Sequence, residues 1–398
     1  MNEAKKLFDE MDRDYTGPAL YAEPIFNYLN RCARLECKRI HNLLEQWFKN
    51  FPSEFQDELR TRFRSKDDRQ HLAAFFELYL HELLSKSGFS VEIHPVVSNK
   101  ATHPDFKVLK NGKTLFYLEA TLAALSDEDT STKARENQVY DTLNRMKSPN
   151  FFIGVKVHGA PTTNPPGAKM RRFLERKLSN LDPDMIAEQF EQGGFETLPR
   201  WEWKHDDWQI TFFPIPKKPE ARGKPGVRPI GIQMYDARLI TPHIGIKKAI
   251  QDKATKYGEL DLPYIVAINV IDEFGADDID ISNALFGEEQ VTIIFHGNEL
   301  IDQRPGRKPN GAWYGPNGPQ NKRVSAVLIA VNLNPWKIAK VTPVLWHNPW
   351  TNYPLPPDIW QLPQLIPDEK DNCLLKKDGR SAWQLLSLCP NWPITKNE

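Results

Sequence analysis

The chain has 398 residues, 40% hydrophobic and 26% charged. That is enough for two to three compact domains and far from the charge-rich, core-poor balance of a disordered protein. Lys and Arg total 52, as do Asp and Glu, so no global field draws the molecule onto nucleic acid or an anionic membrane, and any such contact must come from a local patch.

No apolar run approaches the length of a membrane span; YIVAINVI and VSAVLIAVNL read as buried strands. Cys32, Cys37, Cys373 and Cys389 show neither CxxC nor zinc-ligand spacing, and MNEAKKLFDEMDRD is too charged for a secretory signal. Free thiols in a cytoplasmic protein are the expectation.

Residues 23–64 read as helical, with Leu29, Leu35, Ile40, Leu43, Leu44, Trp47 and Phe48 as a broad apolar stripe. A second helix runs from about Asp68 to Ser87 and stops at Gly88. VEIHPVV, FKVLK and TLFYLEAT read as strands, the last two joined across Asn111-Gly112. A helix from Ser131 to Met146 and a buried strand, FFIGVKV, complete an order that suits a mixed α/β sheet flanked by helices. Next come a basic helix, KMRRFLERKL, a strand near Trp208–Phe213, the loop KKPEARGKPGVRP, and a helix, IKKAIQDKATKYG, running into LPYIVAINV. Further strands are expected at VTIIFH, VSAVLIAVNL and VTPVLWH. The proline- and tryptophan-rich tail after Pro349 should wrap the surface. The periodicity leaves open whether residues 160–398 extend the first sheet or form a domain of their own.

Turn chemistry decides whether Asp105 and Glu119 cooperate. A two-residue Asn111-Gly112 turn sets Asp105 against Leu118 and sends Glu119 to the other face. A three-residue loop with Gly112 at a left-handed bulge position sets Asp105 against Tyr117, with Glu119 and Thr121 on its own face. On the preceding helix Glu77 falls at the margin of the stripe Leu72, Phe76, Leu80 and Leu83, where it can look into the sheet. His81 is one turn on and could fix its rotamer; Glu82 lies far round the helix and reads as solvated.

FFELYLHELLSKSGF, HPDFKV and FYLEAT together resemble the PD-(D/E)XK, or restriction-endonuclease-like, nuclease superfamily, over residues 68–158. The resemblance implies a restriction-endonuclease-like mixed sheet flanked by helices, with a helical N-terminal region and a proline-rich C-terminal extension. It implies a nuclease hydrolysing DNA phosphodiesters with Mg²⁺ or Mn²⁺, in bacterial restriction or phage defence. Asp105 and Glu119 become metal ligands, and Glu77 a ligand or water-orienting base. Hard carboxylates suit such a cation, which offsets the phosphodiester's charge and acidifies a bound water. Thr121 departs from the pattern, since it stands where the superfamily has its lysine. Lys133, at the start of the helix after Glu119, is the first substitute; Gln138, Lys253 and Lys256 are others, and Lys107 ranks lower.

The first alternative is a degenerate core that binds nucleic acid or a partner protein without cutting, and the second an unrelated metal-dependent hydrolase of small substrates. Double-stranded DNA is the expected partner, with a homodimer or a partner protein left open and no membrane. Lys217, Lys218, Arg222 and Lys224 form either a solvated connection or a phosphate contact, and the helix bearing Lys169, Arg171, Arg172, Arg176 and Lys177 invites the same two readings. Asp277, Asp278 and Asp280 read as a helix start rather than a metal loop. Boundaries are expected to give a helical region 1–66, a nuclease-like core 67–160, a basic insertion with a second helix–strand unit 161–270, and a β-rich C-terminal region 271–398.

Overall fold

The computed structural model describes residues 5–97, 102–124, 127–224, 227–235, 241–258, 260–272, 275–296, 299–368 and 373–394. The chain divides into two compact units: Met1–Thr16, Pro24–Leu125 and Ile240–Glu398 form the first, and Gly17–Glu23 with Ser126–Leu239 the second. This nesting replaces the four consecutive segments expected from the sequence. No helix among the described residues is long and apolar enough to cross a membrane.

The first unit opens with helices α1 (Ile25–Arg31), α2 (Leu35–Asn50), α3 (Gln56–Phe63) and α4 (Asp68–Lys86), then strands β1 (Ser90–Ile93), β2 (Phe106–Lys110) and β3 (Lys113–Ala124). The chain then builds the second unit from α5 (Asp127–Asn144), β4 (Phe151–His158), α6 (Gly167–Ser179), α7 (Pro183–Gly193), β5 (Trp201–His205), β6 (Trp208–Pro216) and β7 (Ile230–Tyr235). It returns to the first unit with α8 (Pro242–Ala254), β8 (Tyr264–Ile271), α9 (Asp278–Phe286), the hairpin β9 (Glu289–His296) and β10 (Glu299–Arg307), and the short pair β11 (Tyr314–Gly315) and β12 (Gly318–Pro319). Strands β13 (Ala326–Val331), β14 (Val344–His347), β15 (Gln364–Asp368) and β16 (Cys373–Lys377) and helix α10 (Ala382–Leu385) follow.

The first unit holds a mixed eight-stranded sheet in the order β1-β2-β3-β8-β13-β14-β15-β16. Its middle strands β3, β8 and β13 run parallel, and β8 is buried at every position but its last, as a central strand covered on both faces should be. A parallel pair needs a crossover, and between β3 and β8 that crossover carries Ser126–Leu239, all of the second unit but Gly17–Glu23, followed by α8. FFIGVKV therefore does not join the first sheet. It is β4 of a separate four-stranded sheet, β5-β6-β4-β7, because its partners β6 and β7 arrive later in the chain.

Helix α4 packs on β1 and β3 and is also met by α1, α2, α3 and α10. It is therefore buried nearly all round, and the amphipathic reading that left Glu82 in solvent fails: Glu82 is buried and accepts from Asn50 Nδ2. Helix α8 turns Ile246, Ala249 and Ile250 into a core shared with Tyr257, Tyr264 and Val266. Asp277 caps α9 with a capping box completed by Asp280, the helix start its sequence suggested.

Candidate functional site

The β2–β3 hairpin sets the geometry. Asn111 and Gly112 both have positive φ (51° and 76°), the signature of a two-residue type I′ turn. Lys110 pairs with Lys113 and Leu109 with Thr114, but the register then shifts and Val108 pairs with Phe116. Leu115 is thus an extra residue on β3, a bulge one step inside the hairpin. Beyond it Lys107 faces Tyr117 and Phe106 faces Leu118, and one further step sets Asp105 opposite Glu119. The two-residue turn, one of the two expected loops, is present with its register at Lys110–Lys113 and Leu109–Thr114. The correction is the bulge, which lies in the strand rather than at Gly112 and shifts the pairing beyond it. Asp105 Oδ2 also accepts from the Ala120 amide at 2.6 Å.

Glu119 is 1% exposed. Its Oε1 accepts from Lys253 Nζ at 2.7 Å and Lys256 Nζ at 2.9 Å, and its Oε2 from the Tyr257 hydroxyl. Lys253 lies on α8, three residues after Ile250 and four after Ala249, so it continues the helix's buried stripe up to β3. Lys256 and Tyr257 lie in the turn that follows. Burial alone would push the Lys253 ammonium down, but the Glu119 charge and hydrogen bond more than offset it and hold it above its ordinary value. Burial, then Glu119, pushes the Tyr257 hydroxyl up, so it stays a donor. Burial and the charges of Glu119 and Glu77 hold the Asp105 carboxyl well above the usual carboxylate range, against the Ala120 amide and Lys253.

Glu77 is near enough to Asp105 to raise it, yet it is not a free ligand. Arg62 Nη1 and Nη2 donate to its two oxygens at 2.5 and 2.6 Å, a bidentate charge-assisted pair that holds the Arg62 guanidinium above its ordinary value. Arg62, Glu77 and Asp105 line one cleft with His94, Phe51 and Phe106. The sequence reading missed Arg62, since only the packing of α3 on α4 joins it to Glu77. His81 does not hold Glu77. Its ring lies against Phe51, with centroids 5.0 Å apart, and burial pushes it down to about 4.

The remaining sequence candidates lie elsewhere. Lys133 is on α5 in the second unit, with its ammonium 5.4 Å from the centre of the Tyr235 ring; the amines on Glu119 are Lys253 and Lys256. Thr121 pairs with Ile268 in the parallel ladder, and Lys107 is bound to Glu92 at 2.8 Å. Lys217, expected in an exposed basic loop, is buried. Its ammonium donates to the Ser148 carbonyl at 2.8 Å and sits over the Phe152 ring, and burial pushes it down. Arg222 is paired with Asp184 at 2.7 Å, while Lys218 and Lys224 are exposed.

No protein-family model, curated protein or solved structure matches this chain. The site's chemistry therefore has to be read from its own atoms. Among the described residues no group of three His, Cys, Asp or Glu side chains stands ready to hold a metal ion. Mg²⁺ commonly takes only one or two carboxylates and completes its shell with water and substrate phosphate. Asp105 keeps an oxygen for that smaller set, whereas both Glu119 oxygens already accept from Lys253, Lys256 and Tyr257, so Glu119 joins it only where a metal displaces one of those donors. Among the described residues Asp105 is the one of the three site carboxylates with no cationic hydrogen-bond partner. Its proton affinity is raised first by burial and then by the charges of Glu119 and Glu77, a cost to the ionised form that a bound divalent cation would offset.

Proposed function

We propose that the first unit is a restriction-endonuclease-like domain that hydrolyses DNA phosphodiester bonds with Mg²⁺ or Mn²⁺ held by Asp105 and Glu119. The observation that carries this reading is the meeting of three separate segments: Asp105 opposite Glu119 across a bulged hairpin, with Lys253 and Lys256 brought onto Glu119 from beyond the second unit. The metal, when bound, would supply charge for the phosphodiester and acidify a water. Lys253 and Lys256 supply the positive charge that Thr121 cannot. With two ammoniums on one carboxylate oxygen, one can hold Glu119 while the other meets a phosphoryl oxygen. Tyr257 fixes the second Glu119 oxygen. Glu77, held by Arg62, acts on the site through its charge rather than as a ligand.

The test is digestion of supercoiled plasmid by the purified protein with Mg²⁺, with Mn²⁺ and with EDTA, beside Asp105→Asn and Lys253→Met. Cleavage that needs metal and is lost in both variants supports the reading. Equal cleavage by wild type and Asp105→Asn sinks it.

A second reading is favoured by the pairing of both Glu77 oxygens with Arg62: a nuclease-like module that binds nucleic acid or a partner protein without cutting. DNA binding with no cleavage under any metal would select it.

A further inference from the structure

We infer that the outer face of α6 is the surface through which the second unit grips the phosphate backbone of double-stranded DNA. The helix buries Met170, Leu174 and Leu178 in that unit's core. At about 100° per residue, Lys169, Arg172 and Arg176 fall on the side opposite that stripe, and all three are exposed. The neighbouring Arg171 is engaged by Glu175 at 3.9 Å. The stripe cations have no such ion pair among the described residues. The spacing suits the partner: seven residues of helix rise about 10 Å, over which one DNA strand carries roughly three phosphates. Two of the three are arginines, whose planar fork matches phosphate oxygens.

Two other assignments of basic charge are weaker. A membrane-surface helix needs a free apolar face to bury in lipid, and that of α6 is already in the core. The loop after β6 loses Lys217 to the Ser148 carbonyl and Arg222 to Asp184. The inference rests on the reading that DNA is the substrate, but its test reads binding, not cleavage.

Anisotropy of a labelled duplex, titrated in EDTA at several NaCl concentrations, compares the full chain with Lys169→Gln/Arg172→Gln/Arg176→Gln. Each lost phosphate contact removes about 0.9 from the slope of log affinity against log salt, so the triple variant should be shallower by about 2.7. The single Arg172→Gln should be shallower by about 0.9, and this guards against a folding defect in the triple variant. Retained slopes overturn the inference, as does a wild type that does not bind DNA. A loss confined to anionic phosphatidylserine vesicles, with DNA binding intact, also overturns it and assigns the face to lipid. Plasmid cleavage scored separately keeps the two readings apart. A slope change without cleavage removes the nuclease, and cleavage with an unchanged slope removes only the α6 surface.

Discussion

Lys253 meets Glu119 across 134 residues of sequence, its ammonium 2.7 Å from Oε1, while Lys133, far nearer in the chain, lies over Tyr235 in the second unit. The two lysines therefore make opposite predictions. Lys253→Met should slow metal-dependent plasmid cleavage by about a hundredfold or more, the scale of losing one preorganised group at a transition state. Lys133→Met should cleave at the wild-type rate. Single-turnover digestion measures both, and a reversed ranking would return the amine to α5.

The bidentate Arg62–Glu77 pair predicts a stability effect separate from chemistry. Arg62→Met leaves a carboxylate whose side chain is only 13% exposed without its partner, at a cost of about 2 kcal/mol. Arg62→Met/Glu77→Met removes both charges and should recover most of the loss. Urea denaturation of the two variants is the measurement, and equal loss in both would mean the pair contributes packing rather than charge.

Asp105 predicts a pH-dependent trade between stability and function. Its folded-state carboxyl is held above the ordinary value, so the folded protein binds that proton more tightly than the unfolded chain. Whatever Asp105 contributes is present below its ordinary, unfolded value and is lost as pH rises toward the folded one. Asp105→Asn should therefore melt higher than wild type at pH 7 in EDTA, with the difference shrinking toward pH 4. Mg²⁺ should raise the melting temperature of the wild type and not of the variant.

Acid should unfold the α2–α4 region through its histidines. Burial pushes His41, His71 and His81 from 6.5 down to about 4. Their folded values are depressed, so the stability they allow is full above pH 6.5 and falls as pH drops toward 4, by roughly 3 kcal/mol or less for each. His71→Phe should flatten that window in chemical denaturation at stepped pH. A slope unchanged between pH 6.5 and 4 would assign acid unfolding to the carboxylates instead.

The sequence carried the chemistry of the carboxylates better than their geometry. Glu77, Asp105 and Glu119 are legible as a helix, a strand start and a strand in order, and the Asn111-Gly112 turn is legible as two residues. A bulge at Leu115 leaves no mark in residue type, so neither inferred register held as far as Asp105. Lys253 could be read by following Ile246, Ala249 and Ile250 one turn further to a lysine on the buried side. Arg62 could not, because its partner lies on another helix. The strand character of FFIGVKV was plain, but its sheet was not, since the partners of β4 come later in the chain.

The crossover between β3 and β8 gives the protein a schedule. On the ribosome Glu119 emerges well before its lysines, and Ser126–Leu239, the bulk of the second unit, is synthesised between them. Joining β3 to β8 through an unstructured connection of that length carries a loop-closure cost that grows with the logarithm of the number of flexible residues. Once the second unit has collapsed, the flexible connection is short. The order that minimises that cost has the second unit fold first and the large sheet close last. A nascent chain then holds its carboxylates without their amines until synthesis has passed Tyr257, so the assembled site is a late product of folding.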